Sequence, residues 1–98
     1  MYKPLPNFLT IRNSNIEGLG IFFTEDIKKD TMIGVTHIEL TDGFSKELIR
    51  TPLGGFYNHS DNPNCVKVKL NNQYILYTLK DVKKNDELTV KYTFYKIE

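Results

Sequence analysis

With 98 residues, 13 basic against 12 acidic side chains and a net charge of +1, the chain is predicted to form one domain over 1–98, too short for a second core. Balanced charge gives no general pull toward nucleic acid or membrane surfaces, and the one cysteine, Cys65, excludes an internal disulfide framework or a cysteine-rich zinc cluster. No apolar run approaches the ~18 residues of a membrane span and residues 1–6 lack the apolar stretch of a secretion signal, so a soluble intracellular, cytoplasmic protein is expected.

In chain order, residues 8–12, 21–24 and 32–39 are rich in β-branched and aromatic side chains and are predicted strands. Residues 45–50 are predicted as a short helix, with Ser45 as N-cap and Leu48 and Ile49 facing inward, ended by Thr51-Pro52 and by Gly54-Gly55. Val66, Val68 and Leu70 alternate with Lys67 and Lys69, the period of a half-buried strand, and Asn71-Asn72 can supply the positive φ of a tight hairpin. Residues 73–79 then form its return strand, and 87–92 a last strand. The fold class is all-β, with at most one short helix.

The stretch from Ile21 to Ile33 echoes that from Leu76 to Leu88 at a constant offset of 55 residues, with Asp26 matching Asp81 and Ile27 matching Val82. Each copy reads strand, polar corner, strand. Two similar β-corners are expected, each burying Ile27 or Val82 while its lysine pair stays in water. His37 has no polar motif around it and reads as structural. Cys65 reads as a small buried hydrophobe.

Two segments couple polar side chains to sharp backbone features: Asn58-His59-Ser60-Asp61-Asn62-Pro63-Asn64-Cys65 and Glu87-Leu88-Thr89-Val90-Lys91-Tyr92. A third, Gly18-Leu19-Gly20, stands immediately before the strand at residue 21. Glycines there let backbone approach a ligand closely. No strand-loop-helix pattern accompanies them, which disfavours a Rossmann-type fold.

Together these segments resemble the signature of the SET-domain protein-lysine methyltransferases, over roughly residues 8 to 95. The resemblance implies a minimal, viral- or bacterial-type SET domain without a post-SET zinc segment, a β-clip fold of short sheets with a threaded, knot-like C-terminal arrangement. It implies S-adenosylmethionine (SAM) as cofactor, S-adenosylhomocysteine as product and no metal. Tyr92 takes the catalytic position in that pattern. Glu17, Gly18, Leu19, Gly20, Asn58 and His59 are implied to bind the cofactor, with Phe94 and Tyr95 stacking on adenine or walling the lysine channel. Tyr57, Tyr77 and Val90 are implied to line the substrate channel, whose width leaves mono-, di- and trimethylation open. The implied partner is a lysine-bearing, histone-like protein rather than nucleic acid or membrane, and a homodimer that borrows a neighbour's surface is one way the site could be completed.

The chemistry follows from charge. SAM carries a sulfonium whose methyl is already electrophilic, so a lysine amine needs a free lone pair and in-line approach at about 3 Å. An ordinary lysine, with pKa near 10.4, is ammonium at neutral pH. An apolar, aromatic-lined channel favours the neutral amine by desolvation, and the nearby sulfonium lowers its pKa further. Two other classes compete: a SET-like module that binds SAM or a lysine tail without turnover, and a small β-barrel nucleic-acid binder using Lys67, Lys69 and Lys91. Steeply salt-dependent oligonucleotide binding would mark the latter.

Overall fold

The computed structural model describes residues 5–41, 43 and 45–91. Its strands are β1 (Leu9–Asn13), β2 (Leu19–Phe23), β3 (Met32–Thr41), β4 (Lys46–Arg50), β5 (Asn58–His59), β6 (Cys65–Leu70), β7 (Gln73–Thr78) and β8 (Thr89–Val90), with one helical turn, α1 (Leu53–Phe56). Strands β1 and β2 make an antiparallel hairpin, and the rest form a six-stranded sheet in the order β4-β3-β7-β6-β8-β5. The all-β expectation holds. No helix among the described residues is long and apolar enough to cross a membrane.

The short helix stands elsewhere than expected. Residues 46–50 pair antiparallel with β3, from His37 opposite Arg50 to Thr41 opposite Lys46, so the predicted 45–50 helix is a strand. Six residues are too few to nucleate a helix on their own, whereas the ladder gives this backbone partners at once. The helical turn follows it, starting after Pro52 and containing Gly54-Gly55 rather than ending before them. Thr51 anchors the change of direction, donating its hydroxyl to the Val35 carbonyl at 2.6 Å.

The internal echo becomes a pseudo-twofold relation. Ile27 N–H donates to the Val82 carbonyl at 3.0 Å, and Val82 N–H returns a bond to the Ile27 carbonyl at 2.8 Å. Asp81 Oδ1 accepts from Lys29 N–H, and its counterpart Asp26 Oδ1 accepts from Lys84 N–H, both at 2.8 Å. Asp30 and Asn85, a repeat apart, hold φ of 65° and 78° and donate to the carbonyls of Thr78 and Phe23. Residues able to take the left-handed region are needed at both corners, and Asp and Asn are among the few that take it readily. The relation clamps the β2 corner onto the chain leading into β8.

Alternation in β6 is present, but its buried side is the reverse of what apolarity suggests. Val66, Val68 and Leu70 are 36%, 40% and 54% exposed, while Cys65 is buried and Lys67 half-buried. Cross-strand pairing explains this: Lys67 stands opposite the buried Leu76, and Val68 opposite Ile75. Ile75 is itself only 6% exposed yet lies outside the main core cluster. The sheet therefore has a core side, continuous with Leu76, Cys65 and Val90, and an outer side of apolar residues. Asn71, at φ 57°, turns β6 into β7 as expected of the hairpin.

The last strand is threaded. β8 lies between β5 and β6 and runs parallel to both, with Asn58 beside Thr89, His59 beside Val90, and Cys65 beside Val90 on its other flank. Residues 60–64, which join β5 to β6, must therefore cross over β8. This is the knot-like arrangement that the motifs imply.

Candidate active site

Threading brings three distant segments to one place. Asn58 donates its two amide hydrogens to Glu87 Oε2 at 2.8 Å and to the Glu17 carbonyl at 3.2 Å. Ser14 donates its hydroxyl to Glu87 Oε1 at 2.8 Å and accepts the N–H of Ile16 at 2.9 Å, which pins the 14–18 loop. Ser14 N–H bonds the Gly18 carbonyl at 2.7 Å, closing that loop. The two glycines serve different needs. Gly18 holds φ 48°, a conformation that a side chain resists, with open space around it. At Gly20 a Cβ would collide with the Glu87 carboxylate and lie 3.1 Å from Ser14 Cβ.

Of the sequence-predicted residues, Glu17, Leu19, Gly20 and Asn58 are thus drawn together around Glu87, with Gly18 in the same loop, while His59 adjoins Asn58 on β5 and pairs with Val90. His59 sets its Nε2 3.2 Å from Asp61 Oδ1 at the edge of this region. Ser14 and Glu87 are the members that the sequence reading did not single out. Glu87 opens the second motif and was visible there, but Ser14, in an ordinary polar turn, gives no signal until its partners are known. Tyr92, Phe94 and Tyr95 lie outside the described residues.

A second asparagine locks the same strand through its backbone. Asn64 Nδ2 donates to the Glu87 carbonyl at 2.8 Å, and its Oδ1 accepts from Thr89 N–H at 2.9 Å. The side chain thus imitates a neighbouring strand for residues 87–89. Asn64→Ala leaves a part-buried donor and acceptor without partners, at about 1–3 kcal/mol. A fall in melting temperature of roughly 5–15 °C is expected in scanning calorimetry, and an unchanged melting temperature would contradict the clamp.

Tyr57 faces the other way. It is buried, extended at ψ 152°, and its hydroxyl lies 3.3 Å from Lys67 Nζ. The ring of Tyr74 shares that ammonium, at 5.7 Å from its centroid. Tyr77 stands on the outer side, opposite Val66 and Met32, so the structure does not bring it to Tyr57. Tyr74 occupies that side instead, and counting by twos from the buried Leu76 would have found it. Val90 is buried between His59 and Cys65. Burial first, then the charges of Lys67 and Arg50, hold His37 below its ordinary 6.5.

That shift has a sign. The unfolded chain binds the His37 proton more readily, so this contribution to stability is present above the ordinary value and declines as pH falls below it. Denaturant midpoints are expected to drop more between pH 7.5 and 5.5 in the wild type than in His37→Gln. Equal drops would remove the assignment.

Residues 42–93, more than half of the chain, match the SET domain family. The chain belongs to that family. A histone-lysine N-methyltransferase of Schizosaccharomyces pombe, named as specific for H3 lysine-37, is 31% identical over 106 aligned positions covering 86% of this chain and 72% of that protein. A SET domain-containing protein of Dictyostelium discoideum is 46% identical over 37 residues, 38% of this chain but 9% of that protein, so the chain spans under a tenth of its length. Among solved structures, a Plasmodium falciparum protein named as a histone methyltransferase superposes with a TM-score of 0.73 and 27% identity, covering 93% of this chain and 97% of that one. The methyltransferase domain of human PR domain-containing protein 2 superposes at 0.70 with 17% identity, over 96% and 82%, a likeness of fold.

Proposed function

We propose that the protein transfers the methyl group of SAM to a lysine amine in a protein substrate, with histone tails the first to try. The observation that carries this reading is the parallel ladder of Asn58-His59 with Thr89-Val90, which gathers the Gly18–Gly20 loop and Glu87 at one flank of the strand that leads to Tyr92. The cluster is rich in acceptors: the Glu87 carboxylate with the carbonyls of Glu17 and Leu19. These oxygens already accept from Asn58 or Ser14, so the cluster shapes the 17–20 backbone against which a ligand would sit. SAM supplies an activated methyl group there.

The chain's own residues orient and desolvate. Because the Asn58 amide is committed to Glu87 and Glu17, its contribution is to fix the loop, and cofactor contacts fall to backbone groups of 17–20 and to His59. Tyr57 and Tyr74 line the amine side, where apolar surroundings favour the neutral acceptor. Tyr92, two residues beyond Val90, orients the amine lone pair through its hydroxyl.

Calorimetry and transfer of a labelled methyl group from SAM to core histones test this reading. Binding with transfer is expected. Binding without transfer to histones, peptides or lysates would reassign the chain as a non-catalytic module, and absence of binding would end the reading. His59→Ala is expected to weaken SAM binding by about tenfold, worth ~1.4 kcal/mol, and an unchanged affinity would remove His59 from the site.

A further inference from the structure

Lys67 projects from β6 onto the core side of the sheet, where it is half-buried. Its Nζ lies 3.3 Å from the Tyr57 hydroxyl, 6.0 Å from the centre of the Tyr57 ring and 5.7 Å from that of Tyr74. Among the described residues no carboxylate pairs with it, since Glu39 takes the neighbouring Lys69 at 3.4 Å and Lys46 at 3.7 Å. Burial pushes its amine below the ordinary lysine value, partly offset by Tyr74. An amine held by two tyrosines, half-buried and with no carboxylate partner among the described residues has the surroundings that a methyl-accepting lysine needs.

Its place in the fold agrees. Tyr57 and Asn58 are consecutive yet point apart, Asn58 into the Ser14–Glu87 cluster and Tyr57 toward Lys67. Cys65 pairs with Val90 in β8, and Lys67 is the next residue of β6 on that same side. The Lys67 amine therefore stands across the threaded strand from the acceptor cluster, on the side assigned above to the incoming lysine.

We propose that Lys67 is a self-methylation site, modified within its own chain by the methyl-transfer activity on which this inference rests. The neutral Nζ lone pair forms the new N–C bond as the S–CH3 bond of SAM breaks. S-adenosylhomocysteine leaves as the neutral thioether; the proton went to water when the Lys67 ammonium became the neutral nucleophile, so the product is an N-methylammonium. The enlarged cation still rests on the two tyrosine rings.

The test incubates the full chain with SAM bearing a trideuterated methyl, without other acceptor, and maps the label by mass spectrometry. Label is expected at Lys67 ahead of the exposed Lys28, Lys83 and Lys84, at a rate per molecule independent of protein concentration. Lys67→Arg is expected to lose that label while its SAM affinity by calorimetry stays within about twofold of wild type. In the unloaded chain, the Cε signal of Lys67 is expected by carbon-13 NMR to titrate below the ordinary lysine value. Labelled histones with an unlabelled Lys67 would overturn this inference and leave the proposed function standing. Label confined to exposed lysines, or a rate that rises with protein concentration, would overturn it too. Failure of the wild type to bind SAM and to label histones would instead end both.

Discussion

Tyr92→Phe is expected to slow methyl transfer by about 100-fold or more, the scale of one positioned acid–base group, with SAM affinity kept within about twofold. Phenylalanine retains the ring and its packing and removes only the hydroxyl. The loss should therefore appear in kcat, because orientation of the amine lone pair is needed at the transition state rather than for cofactor binding. In sequence this residue stands two positions after the buried ladder of β8, whose position is fixed from both flanks by Asn58 and Asn64. Single-turnover transfer to histone from both forms, alongside calorimetry, separates the two quantities. Near-normal turnover would remove Tyr92 from the chemistry.

Gly20→Ala is expected to damage both stability and cofactor binding, although it adds one methyl group. Its Cβ would collide with the Glu87 carboxylate and lie 3.0 Å from Glu87 Cδ, so the carboxylate must swing away from Ser14 and Asn58. Overpacking of this kind costs about 1–3 kcal/mol, and stranded partners add about as much again. The melting temperature should fall by roughly 10 °C or more, and SAM affinity should fall with the loop that the cluster holds. Gly18→Ala meets no neighbour and carries only the strain of φ 48°, about 1–2 kcal/mol. A double-mutant cycle isolates the cause: in a Glu87→Ala background the Gly20→Ala change should cost much less than it does alone. Additive costs would show that the collision with Glu87 is not what matters.

Local signals carried a good part of this molecule. The repeat at an offset of 55 residues made two like corners legible, and the structure pairs them through Ile27 and Val82. Asn58, Gly18 and Gly20 stood out through the motifs that resemble the SET family, the glycine triplet being a weak signal by itself, and the structure sets Asn58 and Gly20 against Glu87. What escaped depends on partners distant in the chain. Whether 45–50 is helix or strand was decided by β3, which offers a ladder that no local propensity encodes. Which side of β6 is buried was decided by Leu76 across the hairpin, so the valines lie outward and Lys67 inward. The same parity exchanged Tyr77 for Tyr74 as the neighbour of Tyr57. Ser14 became visible only when residues 73 positions away in the chain came to meet it.

Amide chemical-shift mapping of the isotope-labelled chain during titration with SAM tests the central claim most directly. Convergence of the Gly18–Gly20 loop, Asn58-His59 and the 87–90 strand into one cofactor site predicts saturable shifts concentrated at residues 17–20, 58–61 and 87–91. Saturable shifts centred instead on the outer face, at Val66, Val68 and Tyr77, or no shifts at all, would contradict it.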